Sequence, residues 1–514
     1  MIWKSILGIL VVAIAIVVLA IAIPLASPPN DAVRTDIVIA NVNIVDVEEG
    51  RIIEGQDVFV RDGTIAQIAP AGTVEASGYT AINGRGRYLM PGLWDMHSHS
   101  IQLSPQFHHP LFIANGVTSV RDMSGCMGEP DSFWACTQDR LRWNDRLVNG
   151  TGISPRYPLQ SSYQMDGGDE VPSGFPDFFR ANDVAGITEI VAYYRSDGAD
   201  FLKTYSDLSV DAYQQLSRAA DANGLYIAGH RPIRVSLDQA IDAGQRSIEH
   251  PRLFLFECFR GAADFRALPD PLAVYDPDLK RRLIDEHDPA ACDALMNRMA
   301  ESEVYWTPTM QVLSVPARAG DGSLEDDERL RYIPYVLEAG MWQGDVSRAL
   351  RDGEASDRLT VDQELHALAQ ENLVAAYEAG VNLLIGTDSG DSYIYPGFAV
   401  HDELAAFVEA GIPAEAALRM ATIEAARFAD ANLVNGSIDV GKAADLILLN
   451  ANPYADIENS RSIEAVVLDG RYLDRDALDE LLQFAERQTG SIRFNLQMVW
   501  AAIASPLMRV QLAD

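Results

Sequence analysis

The 514-residue sequence predicts an α/β fold: a (β/α)8, TIM-like barrel with a small β-domain built from both chain ends, behind an apolar N-terminal segment. Three observations predict it. Short apolar strands alternate with helical stretches from about 90 to 428. Strand-like text with Asp-Gly turns flanks that middle on both sides, and an uncharged run opens the chain.

The opening run comes first. After Lys4 no charge occurs until Asp31, and Ser5 to Ile23 is nineteen uncharged residues. That is close to the ~20 that span a bilayer and longer than the roughly 7–15 of a signal-peptide core. Residues 1–26 therefore read as a transmembrane anchor, or as a signal peptide if they are cleaved, with 27–36 as a linker. Lys4 on the inner side would place the rest of the chain in the periplasm or cell exterior. Four cysteines suit that compartment: sequence proximity favours Cys126 with Cys136 and Cys258 with Cys292, one of three possible connectivities.

The flanking pieces, 37–89 and 429–475, carry alternating apolar residues around Asp62-Gly63 and Asp469-Gly470, hairpin signals. Between them, 90–428 holds eight candidate strands, from "YLMPGLWDMH" through the weak "RYPLQSSY" to "NLLIGTD", with helices such as 211–223 and 366–380 in the gaps. Eight such repeats close into a barrel with its site at the C-terminal strand ends. The stretches 255–300 and 315–360 exceed plain connections and read as helical insertions over that mouth. The tail, 476–514, reads as helical and packed on the protein.

The net charge is −34. Without a basic stripe, nucleic acid is excluded as a partner.

Ionisable residues fall at the predicted strand ends: His97 and His99, then Lys203, His230, His250 and Asp388. In "DMHSH" the two histidines sit two apart on a strand and share a face. Four imidazoles and a carboxylate converging on one mouth are ligands that divalent zinc accepts. Lys203, in "DFLKTYS", should point into the barrel, where a bare ammonium beside dications is disfavoured. It would be neutral there, or converted by CO₂ to a carbamate able to bridge two metals. Near the same strand ends lie Arg121, Arg156, Tyr163, Tyr205 and Arg231, candidates for substrate binding, although each arginine could equally form a structural ion pair. His108, His109, His287, His366 and His401 read as surface or helix-packing residues.

The stretches "YLMPGLWDMHSH", "FLKTY", "IAGHRPIRVS", "AGQRSIEHP", "LLIGTDSG" and "GSIDVGKAADLILLNANP" together resemble the amidohydrolase superfamily, in its imidazolonepropionase-like and Xaa-Pro-dipeptidase-like branch. The resemblance spans about 37 to 475. It implies a deformed barrel with two divalent metals, usually zinc, and a β-sandwich made from both chain ends. His97, His99 and Asp388 would hold the inner metal and His230 and His250 the outer one. A carboxylated Lys203 would bridge them, and Asp388 would shuttle the proton from attacking water to leaving amine.

The expected activity is hydrolysis of an amide or peptide-like bond in a small molecule such as a dipeptide or N-acyl amino acid. Lactone or cyclic-amide hydrolysis at the same site is an alternative, as is a non-catalytic metal-containing binding protein. The expected partners are a small-molecule substrate and the membrane; an oligomer is possible.

Overall fold

A computed structural model describes residues 11, 15, 19–128, 130–352 and 356–512, without the side chains of 351–360. Most of the anchor, Ser5–Ile23, lies outside them. Among the described residues no helix is long and apolar enough to cross a membrane.

The barrel is assembled from short strands. β6 (Leu93–Ser98) pairs in parallel with β7 (Val117–Asp122). β8 (Phe201–Thr204), β9 (Tyr226–Gly229), β10 (Ser247–Glu249), β11 (Tyr305–Thr307) and β12 (Asn382–Leu383) form a parallel sheet in that order. Two seams close the ring. The "RYPLQSSY" segment bonds to β7 through Val120 N to Arg156 O and to β8 through Ser162 N to Phe201 O. On the other side, Met96 N donates to Ile385 O and Asp388 N to His97 O. The third strand thus survives only as isolated bridges at Ser119–Arg156, Ser161–Phe201 and Met165–Thr204, which explains its weak pattern. Gly386 permits the second seam: a Cβ there would stand 2.5 Å from Thr307 Cγ2 and 2.8 Å from His97 N.

Both chain ends do meet in one β-domain. β1 (Ile37–Asp46), β2 (Arg51–Arg61), β3 (Thr64–Pro70), β4 (Thr80–Asn83) and β5 (Tyr88–Pro91) join β13 (Leu446–Leu449), β14 (Ile463–Leu468) and β15 (Arg471–Asp474). The result is a single eight-stranded sheet, with β13 antiparallel to β5. Ile37, Ile39, Val58, Val60, Leu446 and Leu448 pack together as its apolar core. The alternation in "DIVIANVNIVDV" is the sequence counterpart of that core.

Barrel and β-domain are joined by charge. Arg156 of the third strand segment meets Asp445 at 2.6 Å and Asp469 at 2.9 Å, so it lies at the domain junction and not at the cavity. Arg156→Ala would leave buried Asp445 without its ion-pair partner and Asp469 with Arg34 alone. The expected loss is roughly 3–5 kcal/mol of stability, read as a fall in the urea midpoint of unfolding.

Cys126–Cys136 and Cys258–Cys292 are both bonded. Helices Arg475–Thr489, Ile492–Ala504 and Pro506–Gln511 make up the tail.

Candidate metal centre

His97 ends β6 fully buried and His99 lies just beyond it. Lys203 lies in β8, 2% exposed; His230 follows β9, His250 follows β10, and Asp388 follows the extended chain after β12. His250 and Asp388 both adopt left-handed backbone, φ 77° and 65°. A β-carbon makes that conformation costly, and such strain is typically kept where side-chain direction matters.

Five of the six predicted groups interlock directly. Asp388 Oδ1 lies 2.8 Å from His99 Nε2 and 3.3 Å from His97 Nε2, while Oδ2 lies 3.5 Å from His250 Nδ1. His250 Nε2 faces His230 Nε2 at 2.8 Å. The sixth, Lys203, acts electrostatically on His230 and is acted on by Asp388. Its Nζ makes no hydrogen bond or ion pair among the described residues.

A buried shell fixes these groups. His97 Nδ1 pairs with Glu249 Oε2 at 3.0 Å, and Arg121 Nη2 clasps both Glu249 oxygens at 2.9 Å. Arg121 also donates to Met96 O and to Ser247 Oγ. His230 Nδ1 meets Ser206 Oγ at 2.8 Å, leaving Nε2 to face inward. Partners of this kind set the tautomer and aim of a ligating imidazole.

Charge states follow from burial. Desolvation lowers His97, takes His230 well below its ordinary value and takes His250 to about 3, so all three are neutral at pH 7 with a lone pair to offer. Burial favours the neutral acid of Asp388, but His97, His99 and His250 outweigh it and hold the carboxyl well below the usual range. Burial lowers Lys203 to about 8, against Asp388 and Glu249.

These residues fit a divalent metal. His97 Nε2 is buried and makes no aligned hydrogen bond among the described residues, although Asp388 Oδ1 lies 3.3 Å away. One ligand atom each from His97, His250 and Asp388 lies within 4.8 Å of the others. The nitrogen and oxygen donors are those of zinc sites.

A cavity of about 700 Å³ opens on the group, reached by His99, Lys203 and Asp388. Tyr163 and Tyr205 line it, and Tyr205 stacks on His230 with centroids 3.9 Å apart. None of the three candidate arginines lines it: Arg121 holds Glu249, Arg156 joins the domains, and Arg231 is buried against Glu257 at 3.1 Å. No arginine clamp for a substrate carboxylate forms from them. The ionisable wall is instead acidic, with Asp166, Asp169, Glu170 and Asp207, of which burial raises Asp166 to about 7 and also lifts Glu170 and Asp207. Residues 315–360 do reach the mouth, through Leu337, Met341 and Trp342, whereas 255–300 contribute nothing to the lining.

The sequence reading missed several supports. Glu249 precedes His250 in "SIEHP", and alternation alone could have placed it on the opposite face. Of the histidines read as surface or helix-packing, His108, His109 and His401 take the second alternative, buried in their helices, and His108 also lines the cavity with Nδ1 on Ser104 Oγ at 2.9 Å. Burial drops His108 to about 3 and His401 to about 4. Below pH 6.5 the unfolded chain takes up protons that these two folded imidazoles refuse. Stability therefore holds above pH 6.5 and falls as the pH drops toward 4 and 3. By pH 5 each costs roughly 2 kcal/mol, read as the difference between the native protein and a His401→Gln variant in how far the urea midpoint falls from pH 7 to pH 5.

The amidohydrolase family's sequence profile matches residues 344–473. Adenine deaminase of Ligilactobacillus salivarius (strain UCC118) is 26% identical over 215 residues, 40% of this chain and 33% of that protein. N-acetylglucosamine-6-phosphate deacetylase of Lysinibacillus sphaericus is 37% identical over 132 residues, 23% and 30% of the two chains. The match thus spans about a third of the length of these curated relatives. Among solved structures, a bottromycin amidohydrolase superposes with a TM-score of 0.68 at 21% identity, over 88% of this chain and 91% of the other. A Xaa-Pro dipeptidase with bound methionine superposes at 0.59 and 20% identity, over 86% of this chain and all of the other. Over residues 344–473 the chain matches the amidohydrolase family, and it carries that segment on a barrel fold shared with solved amidohydrolases.

Proposed function

We propose that this protein is a metal-dependent hydrolase that cleaves a carbon–nitrogen bond of the amide type in a small molecule, a dipeptide or an N-acyl amino acid derivative. One observation carries the reading: four interlocked imidazoles and an ionised aspartate gather beside a cavity lined by His99, Asp388 and the buried Lys203, whose amine has no hydrogen-bond or ion-pair partner among the described residues. His97, His99, His230, His250 and Asp388 would hold two divalent ions, zinc by preference. Such ions supply Lewis acidity, lowering the pKa of water and polarising a carbonyl.

The chain's own groups do the rest. A carboxylate oxygen of Asp388 takes a proton from the attacking water and returns it to the leaving nitrogen. Tyr163, Tyr205 and the apolar wall hold the substrate and exclude water. Lys203 supports the carbamate assignment because CO₂ reacts only with the neutral amine. A pKa near 8 leaves roughly a tenth of the amine neutral at pH 7, against about 0.03% for an ordinary lysine.

The test is hydrolysis by the zinc-loaded protein of leucylglycine, leucylglycinamide, N-acetylleucine, N-acetylleucinamide and a homoserine lactone. The acidic wall predicts that each amide exceeds its free acid in kcat/KM by at least about tenfold. Hydrolysis of the lactone alone would move the reading to an ester-type bond, and turnover of none would refute it.

A further inference from the structure

The helix Ile492–Ala504 is apolar on two faces. Phe494, Met498 and Ala501 are buried and pack with Phe107 and Trp342, which line the cavity. On the other side Ile492, Leu496, Val499 and Ile503 follow at intervals of four, three and four, one stripe of a helix. Ile492 is 80% exposed, Trp500 53% and Ile503 57%. A stripe of that size facing water marks a surface that something else covers.

Three features identify the cover. The chain's nineteen-residue uncharged run ends against this helix, where Gln497 donates to Ala20 O at 2.9 Å and to Ile23 O at 2.8 Å, and Arg493 donates to Ile23 O and Pro24 O. Leu25 packs into the same apolar cluster as Phe494 and Met498. The charge also changes sign: from 491 to 512 only Arg493 and Arg509 are charged, in a chain of net charge −34. An apolar, aromatic-bearing tail with two arginines and no acidic residue between 491 and 512, on an acidic protein, complements an anionic lipid surface.

The same tail forms part of the cavity. Met508, Val510, Gln511 and Leu512 line it, Gln511 donates to Tyr163 Oη at 3.0 Å, and Leu512 is also exposed. Ile101, Phe133 and Ile394 line it as well. The tail thus carries an exposed apolar surface and also supplies apolar residues to the cavity that Asp388 lines.

We propose that helices Ile492–Ala504 and Pro506–Gln511 form a collar that rests in an anionic bilayer surface and admits to the cavity an amphiphilic amide, a polar head carrying an acyl chain. The substrate half rests on the hydrolase reading above. Its reaction is the addition of water across the acyl–nitrogen bond: the bond breaks, the acyl carbon gains oxygen as a carboxylate, and the nitrogen leaves as an amine.

All four native cysteines are disulfide-bonded, so a single introduced cysteine takes a fluorophore alone. The full chain, labelled through Ile503→Cys or Val440→Cys, is placed on vesicles of equal parts phosphatidylcholine and phosphatidylglycerol containing spin-labelled lipid. Val440 is exposed in the β-domain. Quenching at 503 and none at 440 is the expected result. No quenching at 503, or equal quenching at both, overturns the collar. On the same vesicles, kcat/KM for N-dodecanoyl-L-leucinamide should exceed that for N-acetyl-L-leucinamide by at least about tenfold, well within what burying ten methylenes allows. Equal values overturn the amphiphilic substrate. Failure to cleave either amide overturns the amphiphilic substrate, the hydrolase reading itself being decided by the panel above, while the quenching still decides the collar.

Discussion

Asp388→Asn is expected to lower turnover by about 10²–10⁴-fold while leaving the fold intact. Asparagine keeps the size and one oxygen, so the hydrogen bonds and close contacts around position 388 change little. What it loses is the capacity to accept a proton. In the native protein three imidazole nitrogens lie within 3.5 Å of the carboxylate and hold it ionised, ready to take the proton of an attacking water. The variant should lose the acid limb of its pH–rate profile as well as its rate, with thermal unfolding unchanged. Turnover within a few-fold of the native protein would remove Asp388 from the reaction.

Lys203→Ala is expected to act through metal content. In the native protein the amine is buried with no counter-ion bonded to it among the described residues, and it lies 5.5 Å from the centroid of the Tyr205 ring. A bare ammonium is poorly placed there, and a carbamate would turn it into the anionic bridge that two cations need. Its removal should reduce bound zinc from about two ions per chain to about one or fewer and abolish measurable turnover. A separate sign of the carbamate is reversible loss of activity when bicarbonate and CO₂ are stripped near pH 6, where the amine is more fully protonated. An alanine variant that keeps both ions and its rate would assign Lys203 to packing alone.

The sequence was most informative where period and spacing carry meaning. "DMHSH" displays its two imidazoles through the two-residue repeat of a strand, and strand-end positions alone located His230, His250 and Asp388. The third barrel strand was weak in the text because three isolated bridges hold it rather than a ladder. The arginines were not legible as structural. Arg121, Arg156 and Arg231 each stand at a strand end, where a clamp or an ion pair would read alike. Only the fold brings Glu249, Asp445, Asp469 and Glu257 to them. His108 looked like a helix-packing residue because nothing local shows that its helix backs on the cavity. The part played by the tail was equally hidden, since Met508 and Leu512 reach the site across more than a hundred residues of intervening chain.

At the root of the proposal is the capacity of six scattered side chains to gather two divalent ions beside the cavity. The direct measurement is an anomalous difference map at the zinc edge from crystals grown with zinc and bicarbonate. Two peaks roughly 3.5–4 Å apart, enclosed by His97, His99, His230, His250 and Asp388 with extra density continuous with Lys203 Nζ, are the predicted result. A map with no zinc among these residues, or with zinc bound only elsewhere on the molecule, would contradict it.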